Sequence, residues 1–161
     1  MNDDCLALAT ELGAALLRHG EAVATAESCT GGLIAGAITD VPGSSAWFER
    51  GFVTYSNAAK TDMLGVRPDT LAAHGAVSEA TAAEMASGAL ARSRAGLAVA
   101  VTGIAGPDGG SEAKPVGTVC FGWARRDGTV DTVTRRFPGD RRAVRAATVE
   151  TALRGLIDRL D

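Results

Sequence analysis

The residues of this chain best suited to chemistry lie together in Ala26-Glu27-Ser28-Cys29-Thr30-Gly31-Gly32, where two hydroxyls flank a thiol and two glycines follow. The segment stands between a β-prone apolar run, Glu21 to Ala26, and a helical run, Leu33 to Thr39. A strand that hands over to a helix at this point would put Ser28 close to unpaired backbone N–H groups and a positive dipole end. Such a position suits a nucleophile, because the anion formed when it attacks a carbonyl can be held there. The glycines permit close backbone approach. The same residues also read as an ordinary helix cap made by Ser28 or Thr30.

A serine needs a base to take its proton. The two histidines are poorly placed for that: His19 closes a helix, and His74 falls in a loop-like segment, Ala72-Ala73-His74-Gly75. There are two lysines, Lys60 and Lys114, and Lys60 sits among small and apolar neighbours in Tyr55-Ser56-Asn57-Ala58-Ala59-Lys60. Burial there would favour its neutral form. A Ser28–Lys60 pair with Tyr55 as a third hydroxyl is one reading, and a surface lysine is the other.

Two further segments could hold a ligand. Thr102-Gly103-Ile104-Ala105-Gly106-Pro107-Asp108-Gly109-Gly110 follows an apolar strand, where the ligands of α/β sheets collect. It matches neither the dinucleotide nor the P-loop glycine pattern. Phe137-Pro138-Gly139-Asp140-Arg141 offers Asp140 as a helix cap and Arg141 as an anion donor, with Arg142 and Arg145 as alternatives.

The elements around these residues alternate. An amphipathic helix from about Asp4 to His19 carries Cys5, Leu8, Ala9, Leu12, Ala15 and Leu16 on one face, and Gly20 stops it. A strand, the Ser28 turn and a helix to about Asp40 follow, with Gly32 and Gly36 spaced for close packing on a neighbour. Arg50 to Tyr55 reads as a strand, Asn57 to Met63 as a short helix, and Ser78 to Arg94 as a longer one. Leu97 to Val101 has the pattern of a doubly buried strand. Val116 to Ala124 and Thr129 to Phe137 form a hairpin at Asp127-Gly128. The last helix runs from about Asp140 to Leu160, with Val144, Val149, Leu153, Leu156, Ile157 and Leu160 inward. This pattern predicts a single three-layer α/β/α domain over 1–161, with a mixed, mostly parallel sheet and a late β-hairpin.

Composition supports a globular chain: 161 residues, 46% hydrophobic and 22% charged, are enough for a sizeable core. A net charge of −3 disfavours broad nucleic-acid binding. Three cysteines, Cys5, Cys29 and Cys120, lack the spacing of a zinc site or a disulfide framework. The acidic start Met1-Asn2-Asp3-Asp4 is not a signal peptide, and no apolar run is long enough to span a bilayer. A cytoplasmic protein without a membrane partner is the expectation.

Seven segments occur in order: Thr25 to Gly32, Pro42-Gly43-Ser44-Ser45, Gly51 to Asn57 with Lys60, Gly75-Ala76-Val77-Ser78, Thr102 to Pro107, Lys114 to Val119, and Gly139-Asp140-Arg141. Together they closely resemble the CinA C-terminal domain family, whose members include stand-alone nicotinamide-nucleotide amidases. The resemblance covers nearly the whole chain. It implies hydrolysis of nicotinamide mononucleotide (NMN) to nicotinate mononucleotide and ammonia, in pyridine nucleotide salvage. It implies Ser28 as nucleophile, Lys60 as base and Tyr55 nearby, with no metal and no cofactor. The substrate contacts it suggests are Thr30, Gly31, Gly32, Ser44, Ser45, Thr102, Gly103, Ile104, Ala105, Gly106 and Arg141. A homodimer is expected. Many relatives carry an additional N-terminal domain; this chain starts at the first amidase helix, so that domain's activity, such as ADP-ribose hydrolysis, is not expected. A binding module that has lost turnover, and an amidase for a related nucleotide, are the competing readings.

Overall fold

A computed structural model describes residues 2–160. Its centre is a five-stranded sheet in the order β2-β1-β3-β4-β5. The strands are β1 (Val23–Glu27), β2 (Phe48–Val53), β3 (Leu97–Gly103), β4 (Thr118–Arg125) and β5 (Val130–Arg136). β1 pairs in parallel with β2 and β3, whereas β3–β4 and β4–β5 are antiparallel. Only β4 therefore runs against the rest, and the sheet is mixed and mostly parallel in direction. The hairpin turns at Asp127-Gly128, where Gly128 has φ 94° and Asp127 accepts from the Thr129 N–H.

Helices cover both faces. α1 (Asp3–His19), α2 (Leu33–Thr39) and α6 (Arg141–Asp158) lie on one side. α3 (Asn57–Leu64), α4 (Pro68–His74) and α5 (Glu79–Ala91) lie on the other. The alternation of side chains along β3 divides the two cores. Leu97, Val99 and Val101 face the first group, together with Phe121, Trp123 and the apolar stripes of α1 and α6. Ala98 and Ala100, with Ala24, Ala26 and Ala124, face the second. This alanine face brings α5 very close to the sheet. A Cβ on Gly122 would stand 2.6 Å from the Ala82 carbonyl oxygen.

Caps fall where local chemistry puts them. Gly20 ends α1 with φ 61°, Ser78 caps α5 by accepting from the Thr81 N–H, and Asp140 caps α6 by accepting from the Ala143 N–H. Two sequence expectations change. His74 is the last residue of α4, a helix begun by Pro68 at its first turn. Gly36 packs on nothing: open space surrounds the position of its absent side chain, and Gly32 serves as a left-handed cap at φ 108°.

The connections place the site. From β1 the chain passes through α2 to β2 on one flank, and from β3 it continues to β4 on the other. The crevice at the carboxyl ends of β1 and β3 lies between these diverging paths, where open α/β sheets bind ligands.

Candidate active site

Ser28 follows β1 at this crevice and is 8% exposed. It does not start a helix; α2 begins five residues later. The intervening turn is anchored from behind by Glu27, a buried carboxylate. One Glu27 oxygen accepts from the Thr30 hydroxyl at 2.6 Å and the Ile34 N–H at 2.8 Å; the other accepts from the Ala35 N–H at 2.9 Å. Glu27 thereby fills the amino end of α2, so that end is not open to an anion. Its acidic residue type just ahead of a predicted helix was the available signal for this role.

Lys60 reaches Ser28 from α3. Ser56 caps this helix by accepting from the Ala59 N–H at 3.0 Å, and Lys60 follows on its first turn. Lys60 is 1% exposed and is the largest of the fully buried residues. Its Nζ lies 3.2 Å from Ser28 Oγ, 3.0 Å from the Thr54 carbonyl and 3.3 Å from the Tyr55 carbonyl. Among the described residues no carboxylate pairs with it. Burial pushes the Lys60 pKa below that of an ordinary lysine, with the neighbouring Cys29 opposing weakly. A neutral amine has two N–H bonds and one lone pair. In that form the two carbonyls, which can only accept, would take the N–H bonds and leave the lone pair facing the Ser28 hydroxyl. That is the geometry of a general base.

Ser28 and Lys60 open into a cavity of about 290 Å³. Of the residues singled out in the sequence, Tyr55, Thr102, Gly103, Ile104, Ala105, Gly106 and Arg141 share its wall. Thr102 is held by donating to the Ala76 carbonyl at 2.8 Å. Arg141 donates to the Gly106 carbonyl at 2.7 Å and to the Tyr55 hydroxyl oxygen at 3.1 Å. Tyr55, 60% exposed, thus lends its carbonyl to Lys60 and its hydroxyl to Arg141. Asp108 and Gly109 of the same glycine-rich segment also line it, and Asn57, Ala76 and Val77 complete the wall without having been assigned a role from the sequence.

Other residues singled out lie elsewhere. Thr30, Gly31 and Gly32 are in the turn behind Ser28 and do not line the cavity; the Thr30 hydroxyl is spent on Glu27. Ser44 and Ser45 form a short 3₁₀ turn ahead of β2, beside the amino end of β1, with Trp47 bonded to Val23. Within one chain they sit across the length of the strand from Ser28. Arg142 lines a different cavity, and Arg145 donates to the Cys29 and Thr30 carbonyls at 3.2 and 3.1 Å. Arg141 is the one arginine of the three at the wall.

Cys29 is beside Ser28 and buried, and its thiol pKa is pushed up to about 12, chiefly by burial. It stays protonated at neutral pH and is a poor nucleophile. Among the described residues no cluster of three or more His, Cys, Asp or Glu side chains could hold a metal ion, and no helix is long and apolar enough to cross a membrane.

A family profile described as the CinA C-terminal domain matches residues 6–160. The chain belongs to the CinA C-terminal domain family. Among relatives, the nicotinamide-nucleotide amidohydrolase PncC of Enterobacter agglomerans is 60% identical over 154 residues, covering 93% of this chain and 94% of that protein. The protein of the same name from Escherichia coli strain K12 is 57% identical over 157 residues, covering 96% and 94%. In structure, the competence/damage inducible protein CihA from Agrobacterium tumefaciens superposes with a TM-score of 0.96 at 54% identity, over 98% of this chain and 96% of that one. This CinA-family fold is therefore shared along almost the full length compared.

Proposed function

We propose that this protein is a nicotinamide-nucleotide amidohydrolase that works through Ser28 and Lys60. The observation that carries the reading is the buried Lys60 amine, 3.2 Å from Ser28 Oγ in a cavity and with no carboxylate partner among the described residues. The names of the close relatives supply the substrate class.

In this reading the neutral Lys60 takes the Ser28 proton as Oγ bonds to the carboxamide carbon of NMN. The carbonyl π pair moves onto oxygen, and backbone N–H groups of the turn after Ser28 hold that charge. Lys60, now charged, gives its proton to the amide nitrogen as the C–N bond breaks and ammonia leaves. Water, deprotonated by Lys60, then attacks the acyl carbon; nicotinate mononucleotide departs and Ser28 Oγ recovers its proton. The Thr102–Gly106 segment and Arg141 hold the ribose phosphate end, so remote binding positions the amide.

Ammonia release from NMN in the presence of EDTA tests the reading, with Ser28→Ala run in parallel. Release by the wild type alone is expected. Equal release by both proteins, or a folded wild type that binds NMN for hours without product, overturns it.

A further inference from the structure

The turn after Ser28 has one feature that the reaction above leaves unused. Ser28 O accepts from the Gly31 N–H at 3.0 Å, which closes a β-turn over residues 28–31. The central peptide of that turn joins Cys29 to Thr30. Among the described residues only glycines have a positive φ, so Thr30 at the third position makes this turn type I and not type II. In such a turn the central C=O and N–H project from the turn rather than closing it. Arg145 seizes that central carbonyl with Nε at 3.2 Å and the next one, of Thr30, with a terminal nitrogen at 3.1 Å.

A trans peptide is planar, with C=O and N–H opposed. Holding the Cys29 carbonyl towards α6 therefore turns the Thr30 N–H to the other side of the turn, away from α6 and towards the side from which α3 brings Lys60 to Ser28. Flipping this peptide would produce a type II turn. That would demand a positive φ at Thr30, which a β-branched residue resists. Two devices thus fix one orientation: the branched Thr30 side chain and the Arg145 fork.

We propose that Arg145 is a positioning residue that holds the Cys29–Thr30 peptide so that its N–H faces the oxyanion formed at Ser28. This rests on the Ser28–Lys60 reading of the site. Arg145 touches neither substrate nor reacting atoms. When Oγ bonds to the acyl carbon and its proton passes to Lys60, the carbonyl pair becomes the charge that this N–H receives. The guanidinium also withdraws electrons from the peptide it grips, which makes the opposite N–H a stronger donor. Arg141, one helical turn earlier on α6, serves the cavity mouth, so two successive turns of one helix address the two ends of the site.

The test uses Arg145→Ala, Arg145→Gln and Arg145→Lys in the full chain, with two readouts. The first is NMN hydrolysis. Arg145→Ala should lower kcat by about 10- to 1,000-fold, its upper end being the roughly 10²–10³-fold cost of losing an oxyanion donor outright, with KM within about twofold of wild type. Arg145→Lys should recover part of the loss, and added guanidinium should partly rescue Arg145→Ala. The second readout is labelling of Ser28 by a fluorophosphonate. Here Oγ bonds phosphorus, fluoride leaves and the proton goes to Lys60, while the P=O oxygen uses the same donor. Labelling by Arg145→Ala should slow by about tenfold or more.

Unchanged kcat and labelling rates in all three variants overturn the proposal, as does a rise in KM at constant kcat, which would make Arg145 a substrate ligand. If wild type labels at Ser28 yet leaves NMN intact, the substrate reading fails while the labelling comparison still decides the role of Arg145. If wild type does neither, both fall. Should Arg145→Ala not fold, Arg145→Gln and Arg145→Lys carry the comparison, since both retain a donor and most of the packing volume.

Discussion

Lys60 and Ser28 stand 32 residues apart in the chain, and their Nζ and Oγ atoms are 3.2 Å apart in the fold. The amine has two backbone carbonyls as its other partners, from Thr54 and Tyr55. These contacts suit an amine in either protonation state, and burial favours the uncharged one.

The first prediction concerns pH. Burial lowers the Lys60 pKa, so the base form persists to lower pH than an ordinary lysine allows. The kcat/KM for NMN should fall as pH drops through this lowered pKa and should level off above it. A profile that still climbs steeply at pH values near 10.5, the reference for a solvated lysine, would show that Lys60 is not the base.

The same shift makes a stability prediction. The folded state holds Lys60 with a lowered affinity for protons, so the unfolded chain binds more protons between the folded pKa and 10.5. Stability therefore rises with pH across that window, and the penalty is fully present below the folded pKa. Lys60→Met removes the penalty and keeps the volume. It should abolish turnover while raising the melting temperature, by about 2–4 °C for each kcal/mol of relieved cost, and by more at pH 6 than at pH 10. Melting curves at the two pH values decide it; a destabilised Lys60→Met protein would count against a strained amine.

Ser28→Ala and Lys60→Ala should each reduce kcat by at least about 10³-fold, and the double variant should be scarcely worse than either, because the two act as one unit. Losses that multiply would mean that Lys60 acts on something other than Ser28. Cys29→Ala, by contrast, should keep most of the activity, and a thiol-alkylating reagent at pH 8 should leave the wild type working, since the Cys29 thiol is pushed up to about 12.

Arg141 stands at the cavity wall, and a guanidinium is a group suited to phosphate. Arg141→Ala should raise the KM for NMN by about 10- to 100-fold, the worth of a charged hydrogen bond, while changing much less the rate with nicotinamide riboside, which lacks the phosphate. Equal losses on both substrates would assign Arg141 to shaping the loop through Gly106 rather than to the phosphate.

Much of this was legible in the residue order. Periodicity located α1 and α6, the Asp127-Gly128 pair located the hairpin, and small neighbours marked Lys60 as able to be buried. What was not legible depended on distance. Gly32 and Gly36 share the spacing of a packing motif, yet spacing does not say whether a neighbour is present, and Gly36 meets open space. Ser44 and Ser45 belong to an ordered motif, but the length of β1 separates them from Ser28. His74 closes a helix begun by Pro68, although Ala72-Ala73-His74-Gly75 alone reads as a loop. Arg145 could be named from sequence as a donor; that its acceptors are carbonyls of the nucleophile turn emerges only when α6 docks on α2.

The alanine face beneath α5 gives the molecule a tolerant side and an intolerant one. Under α1 and α6 the core is built of leucines, valines and aromatics, whose shapes can be exchanged for one another at modest cost. Under α5 there is no such slack: a single methyl on Gly88 would drive into the Leu64 carbonyl, at the end of the helix that carries Lys60. A library of random substitutions should therefore recover variety among the large apolar residues of the first side and near-invariance at Gly88 and Gly122 on the second. The rigidity that aims the base at the nucleophile is supplied by the smallest side chains in the protein.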